Sequence, residues 1–165
     1  VLLRTRGHGP AGERAFGALG RFGEWGLGWV ALAMVGSGLD RERRRGWWSA
    51  GAVGPVAVAI NYGVKLAVGR ERPLIKAHPM LARAPSRLSF PSAHATSSVA
   101  AATAMSRLAP GVGPPLGALA AAVCISRPFL GMHYPSDVLA GALLGRLIGR
   151  AWPLPGGRSE ELWAR

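Results

Sequence analysis

Cysteine occurs once, at position 124, and acidic residues number only 8 among 165. A single thiol excludes a disulfide within the chain and any cysteine-based metal site. The apolar neighbours of Cys124 mark it as a small packing residue without a chemical task. Lysine is nearly missing: 2 Lys stand against 18 Arg. Aromatics interleaved with basic residues are absent too, and no reading module is recognisable, which sets nucleic acid aside as a partner. The N-terminal stretch VLLRTRGHGPAGERAFG lacks the continuous apolar core of a cleavable secretory signal. Neither an alternating strand pattern nor an internal repeat is found.

What is present pulls in two directions. Hydrophobic residues make up 49% of the chain, and the mean hydropathy is +0.20. Yet the net charge is +12, which calls for an anionic partner such as lipid or phosphate. Residues 1–10 read as a mobile tail, and 11–22 as a short amphipathic helix with Phe16, Leu19 and Phe22 close to one face. Five hydrophobic helical segments follow, at 25–39, 47–68, 92–108, 111–125 and 138–152, and a polar tail occupies 153–165. Several are shorter than the ~20 residues that normally cross a bilayer. Pro55 predicts a kink in the second. The twin Trp47 and Trp48 suit an interfacial anchor, and Gly141 and Gly145 have the small-xxx-small spacing of closely packed helices, within or between chains. The expected architecture is an all-α, polytopic transmembrane bundle of five to six helices forming a single domain over 1–165. A compact soluble helical domain is the competing reading.

An antiparallel zigzag through these segments sorts the polar residues by end. The end of 47–68, the start of 92–108, the end of 111–125 and the start of 138–152 share one rim. That rim receives Lys65, Arg72, Ser92, His94, Arg127, His133 and Asp137. The opposite rim receives DRERRR and Arg107 and no histidine. His133 and Asp137 are four apart, so on a helix they share a face. A carboxylate that accepts from one ring nitrogen leaves the other as nucleophile or base. Lys65, Arg72 and Arg127 suit the non-bridging oxygens of a phosphate, and a helix opening at Ser92-Ala93-His94 offers backbone N–H groups to an anion. His94 suits protonation of a leaving oxygen. This is a phosphoryl-transfer constellation without an evident metal-ligand set. His8 and His78 are expected to be solvated.

At these residues the chain resembles the type 2 phosphatidic acid phosphatases, which share their site with acid phosphatases and vanadium haloperoxidases. The family's Lys-x6-Arg-Pro motif matches KLAVGRERP from Lys65 to Pro73. Its Pro-Ser-Gly-His motif matches PSAH, with Ala93 in the glycine's place. Its Ser-Arg-x5-His-x3-Asp motif matches SRPFLGMHYPSD, from Ser126 to Asp137. The resemblance implies that His133 attacks phosphorus to form a phosphohistidine with Asp137 in support. It implies that His94 serves the leaving group, and that Lys65, Arg72, Ser92, Arg127 and the N–H of Ala93 bind the phosphate. It implies no metal and no cofactor. The partners it implies are the bilayer and a lipid phosphate. The small size and the Ala, Gly and Arg bias are also similar to those of decaprenylphosphoryl-5-phosphoribose phosphatases, which points to a polyprenyl-linked substrate. Phosphatidic acid, phosphatidylglycerophosphate and undecaprenyl diphosphate are alternatives, as is a non-catalytic protein that binds anionic lipid. The resemblance places the chain in the plasma membrane with its site on the extracytoplasmic side; the Lys/Arg balance of the two rims does not decide the orientation, and the compact RERRR block only leans towards the other rim as cytoplasmic.

Overall fold

The computed structural model describes residues 8–74 and 80–155. Among them are six α-helices and no strand: α1 (Pro10–Phe22), α2 (Leu27–Leu39), α3 (Arg44–Val68), α4 (Ala93–Leu108), α5 (Gly113–Phe129) and α6 (Pro135–Ala151). The local chemistry explains the boundaries. Pro10 and Pro135 sit in first turns, where a missing N–H costs nothing. The Ser92 hydroxyl caps α4 by accepting from the Ala95 N–H at 3.5 Å. Gly69, at φ +66, closes α3 in the left-handed region. Pro55 lies inside α3, which is helical throughout its 25 residues, about 37 Å. Among the described residues, α3 and the segment Pro110–Phe129 are the two stretches long and apolar enough to cross a bilayer by themselves.

The centre of the bundle is α4. It packs against α3, α5 and α6, and its sequence explains why. Alanines at 95, 100, 101, 102 and 104 are all buried, so neighbouring helices approach its backbone closely. The closest is α6. A Cβ on Gly141 would lie 2.6 Å from the Ser92 carbonyl oxygen, and one on Gly149 2.5 Å from that of Ala100. One on Gly145 would overlap the Thr96 carbonyl oxygen. The small-xxx-small spacing is therefore used within this chain, and it extends one turn beyond the pair seen in the sequence.

The outer face of the same helix is apolar. Leu139, Leu143 and Leu147 are 66%, 66% and 65% exposed, opposite the glycine stripe. Leu27, Leu39 and Leu66 are exposed in the same way on α2 and α3. Small residues inside and large apolar residues outside invert the usual pattern and fit a hydrocarbon surround. The chain is an integral membrane protein on this evidence.

The two ends of the bundle differ. At one, Arg43 donates to the Leu108 carbonyl at 3.0 Å, and Arg107 donates to the Gly149 and Trp152 carbonyls at 2.8 and 2.9 Å. The Trp152 indole reaches the Ser49 carbonyl at 2.9 Å, and Leu154 is buried there, so the start of the expected polar tail is packed. At the other end lies the 69–92 connection, where Ser89 N–H donates to the Arg70 carbonyl at 2.7 Å and Arg72 N–H to the Arg87 carbonyl at 3.1 Å.

One expectation fails. His8 is not solvated: its ring stacks on Phe129 with centroids 4.1 Å apart, and Nδ1 is 3.3 Å from Glu13 Oε1. The last residue of α5 supplies an aromatic face that the local sequence around His8 does not reveal. His78 lies outside the described residues.

The glycine stripe yields a paired prediction. Gly145→Val should destabilise the protein by about 1–3 kcal/mol through overpacking, read as a lower thermal midpoint in detergent. Gly63→Ala, with nothing within 4 Å of the added carbon, should leave the midpoint unchanged or raise it slightly.

Candidate active site

Two polar residues one turn apart on α3 start the site. Asn61 and Lys65 are both buried and both reach the Pro91 carbonyl, at 3.3 and 2.9 Å. Asn61 also donates to Thr96 Oγ1 at 2.9 Å, and Lys65 to the Leu88 carbonyl at 3.4 Å. These bonds fix the segment that enters α4. The Ser92 N–H donates to the Asp137 carbonyl at 2.9 Å, which ties the start of α4 to the start of α6. All three sequence motifs therefore meet through backbone groups before any substrate is involved.

His133 is 4% exposed and stands in the turn between α5 and α6. It does not share a helix face with Asp137, because α6 begins only at Pro135. Asp137 instead lies in the first turn, where Oδ2 accepts from the Tyr134 N–H at 2.9 Å and lies 3.6 Å from His133 Nδ1. On the other side of the ring, Arg72 Nη1 is 3.2 Å from His133 Nε2. A guanidinium can only donate, so Nε2 presents its lone pair there and Nδ1 carries the proton that faces Asp137. Arg72 is itself anchored by the Met132 and Ser86 carbonyls at 2.8 and 2.9 Å. Burial pushes the His133 imidazole down to about 4 against the pull of Asp137, and Arg72, Arg127 and Lys65 act in the same direction as burial. It is neutral at pH 7.

Arg127 is the most exacting member. It is 3% exposed, its side chain makes no hydrogen bond to the protein among the described residues, and its Nε is buried without a partner. A buried unpaired guanidinium costs several kcal/mol, so a site that keeps one is built to receive an anion. His94, in the first turn of α4, donates from Nε2 to the Gly20 carbonyl at 3.0 Å, since a carbonyl can only accept. That assignment leaves His94 Nδ1 for proton transfer. The contact belongs to α1, which the sequence had suggested only as an amphipathic helix. Its fit is tight: a Cβ on Gly23 would lie 2.9 Å from His94 Cδ2.

A cavity of about 480 Å³ opens at this end. Its lining includes Lys65, Arg72, Ala93, His94, Arg127 and His133. Two predicted residues stand outside the lining: Asp137 behind His133, and Ser92, whose hydroxyl oxygen accepts from the Ala95 N–H at the start of α4. Among the described residues no group of three or more His, Cys, Asp or Glu is placed to hold a metal ion. Sequence reasoning missed four contributors. Asn61 was signalled by its four-residue offset from Lys65. Arg70 lies within the first motif and pairs with Asp137 Oδ1 at 3.0 Å while sitting 4.4 Å over the Tyr134 ring. Tyr134 and the Gly20 carbonyl carry no sequence signal for these roles.

The pattern of the PAP2 superfamily matches residues 46–155, which spans every motif residue above. The chain belongs to that superfamily. The decaprenylphosphoryl-5-phosphoribose phosphatase of Mycobacterium tuberculosis is 46% identical over 146 residues, covering 87% of this chain and 80% of that protein. Its Mycolicibacterium smegmatis counterpart is 45% identical over 127 residues, covering 75% and 68%. Among solved structures, Aquifex aeolicus LpxE superposes with a TM-score of 0.71 at 24% identity over 90% of this chain and 88% of that one. The fold is thus shared with that structure over nine-tenths of the chain.

The depressed His133 predicts a stability effect with a definite sign. Between about pH 6.5 and about 4 the unfolded chain binds the His133 proton and the folded chain does not, so stability falls as pH falls through that window. Thermal midpoints measured from pH 7 to 4 should therefore decline more steeply for the natural chain than for His133→Asn.

Proposed function

We propose that this protein hydrolyses the phosphate monoester of a polyprenyl-linked lipid, with decaprenylphosphoryl-5-phosphoribose as the substrate. One observation carries the phosphatase reading: the buried, unpaired guanidinium of Arg127 shares a cavity with a neutral histidine whose Nε2 lone pair faces Arg72. The identity with decaprenylphosphoryl-5-phosphoribose phosphatases supports the substrate.

The chemistry follows from the geometry. The phosphate takes the place among Lys65, Arg72, Arg127 and the Ala93 N–H, and Arg72 turns its donors from His133 to the oxygens. The His133 Nε2 lone pair attacks phosphorus as the bond to the sugar oxygen breaks. His94, protonated at Nδ1, passes that proton to the leaving oxygen. Asp137 accepts from Nδ1 of His133 and stabilises the phosphoimidazolium. His94 then takes a proton from water, the hydroxide attacks phosphorus, and the P–N bond electrons return to His133. Positioning and preorganised charge supply the catalysis, and no step calls for a metal. Trp25, Val58 and Tyr62 give the same cavity an apolar wall for the lipid side of the substrate.

The protein acts at the plasma membrane with this rim on the extracytoplasmic side. The cluster Arg41, Arg43, Arg44 and Arg45 at the opposite rim supports that orientation.

The test is phosphate release from decaprenylphosphoryl-5-phosphoribose by purified protein in detergent with a chelator present. Activity should persist with chelator, and His133→Ala should lower kcat by at least about a thousandfold. Acid-labile, base-stable radiophosphate should be trapped on the natural chain and be absent from the variant. Full phosphate release by His133→Ala would refute the assignment.

A further inference from the structure

The cavity holds more positive charge than one phosphate needs. Five cationic side chains line it, Arg21, Lys65, Arg72, Arg83 and Arg127, against one carboxylate, Glu24. A phosphate monoester carries about −1.5 to −2 at neutral pH. Lys65, Arg72 and Arg127 are buried and, with three positive charges, already outweigh that charge by themselves. Arg21 and Arg83 are different: both are exposed, and neither has a hydrogen bond or ion pair to the protein among the described residues. They come from separate elements, Arg21 from the last turn of α1 and Arg83 from the connection before α4. The Arg21 guanidinium does not trail into solvent. It lies over Gly17, another lining residue, with Nη1 3.8 Å from where a Cβ would stand.

An inner buried group of cations and an outer exposed pair in one cavity match a ligand with two anions. We propose that Arg21 and Arg83 form an outer anion subsite for the phosphodiester of a substrate whose terminal phosphate monoester sits at His133. The subsite rests on the phosphatase reading above and adds to it the residues that select a two-phosphate lipid. A pentose separates the two phosphates in such a substrate, which suits one inner and one outer cluster. Glu24, on the same lining, is left to accept from the sugar hydroxyls. A lipid with a single phosphate reaches only the inner cluster, so the outer pair discriminates between lipids and takes no part in bond breaking.

The experiment compares two probes in detergent, farnesylphosphoryl-ribose 5-phosphate and phosphatidic acid, with Arg21→Gln, Arg83→Gln and the double variant. A hydrogen bond to a charged group is worth about 1.5–3 kcal/mol, so the double variant should raise KM for the two-phosphate probe at least about tenfold. Its kcat for that probe and its KM for phosphatidic acid should change less than about twofold. The natural chain's KM for the two-phosphate probe should also rise more steeply with salt than its KM for phosphatidic acid. Equal losses on both probes, no loss on either, or a natural chain that cleaves only phosphatidic acid would each overturn the subsite while leaving the phosphatase reading in place. A natural chain that cleaves neither probe would overturn both. Arg21 and Arg83 are exposed, so size-exclusion profiles matching the natural chain should confirm that the variants fold.

Discussion

Everything at the reactive end of this protein depends on keeping positive charge out of water without giving it an anion. Arg127 is the extreme case, with its Nε buried and unpartnered, but Lys65 and Arg72 are subject to the same constraint. They satisfy it with carbonyl oxygens: Lys65 with those of Leu88 and Pro91, Arg72 with those of Met132 and Ser86. A carbonyl holds a cation in position and leaves its charge uncancelled, so the field in the cavity survives. A carboxylate in those places would have neutralised it. The buried carboxylate near them, Asp137, stands behind His133 and is shared with Arg70, and the exposed Glu24 is on the cavity wall.

The bundle supplies the rigidity that this arrangement demands. Alanines on α4 and glycines on α6 bring two backbones into contact, and the Ser92 N–H bond to the Asp137 carbonyl lies at the head of that seam. The start of α4, which carries His94, and the start of α6, which follows the turn holding His133, are thereby fixed on helices that cannot slide past each other. The same economy of side-chain volume leaves the large apolar residues for the outer surface, where hydrocarbon replaces water as the medium.

Much of this was legible in the sequence, and the reason is chemical. A phosphoryl-transfer site needs particular side chains, and Lys65, Arg72, His94, Arg127, His133 and Asp137 stand at intervals that an antiparallel bundle brings to one rim. The helices from 47 to 151 were likewise marked by apolar runs and by Pro and Gly punctuation. What escaped notice acts through backbone or through tertiary neighbours. Gly20 contributes a carbonyl, which any residue possesses. Ser92 reads as a phosphate ligand in its motif, and its hydroxyl oxygen also caps α4 by accepting from the Ala95 N–H, a role its place before the helix allows. The His133–Asp137 interval suggested one helical face, whereas the Pro135 start makes the carboxylate a helix cap that reaches back to the turn. His8 was misread because its partner, Phe129, is far away along the chain.

The Gly20 carbonyl that orients His94 lies before residue 46, where the match to the superfamily pattern begins on this chain. Part of the roof over the reacting groups is therefore drawn from a region that the common motifs do not constrain. A change in α1 can therefore alter how His94 is held while every motif residue stays in place.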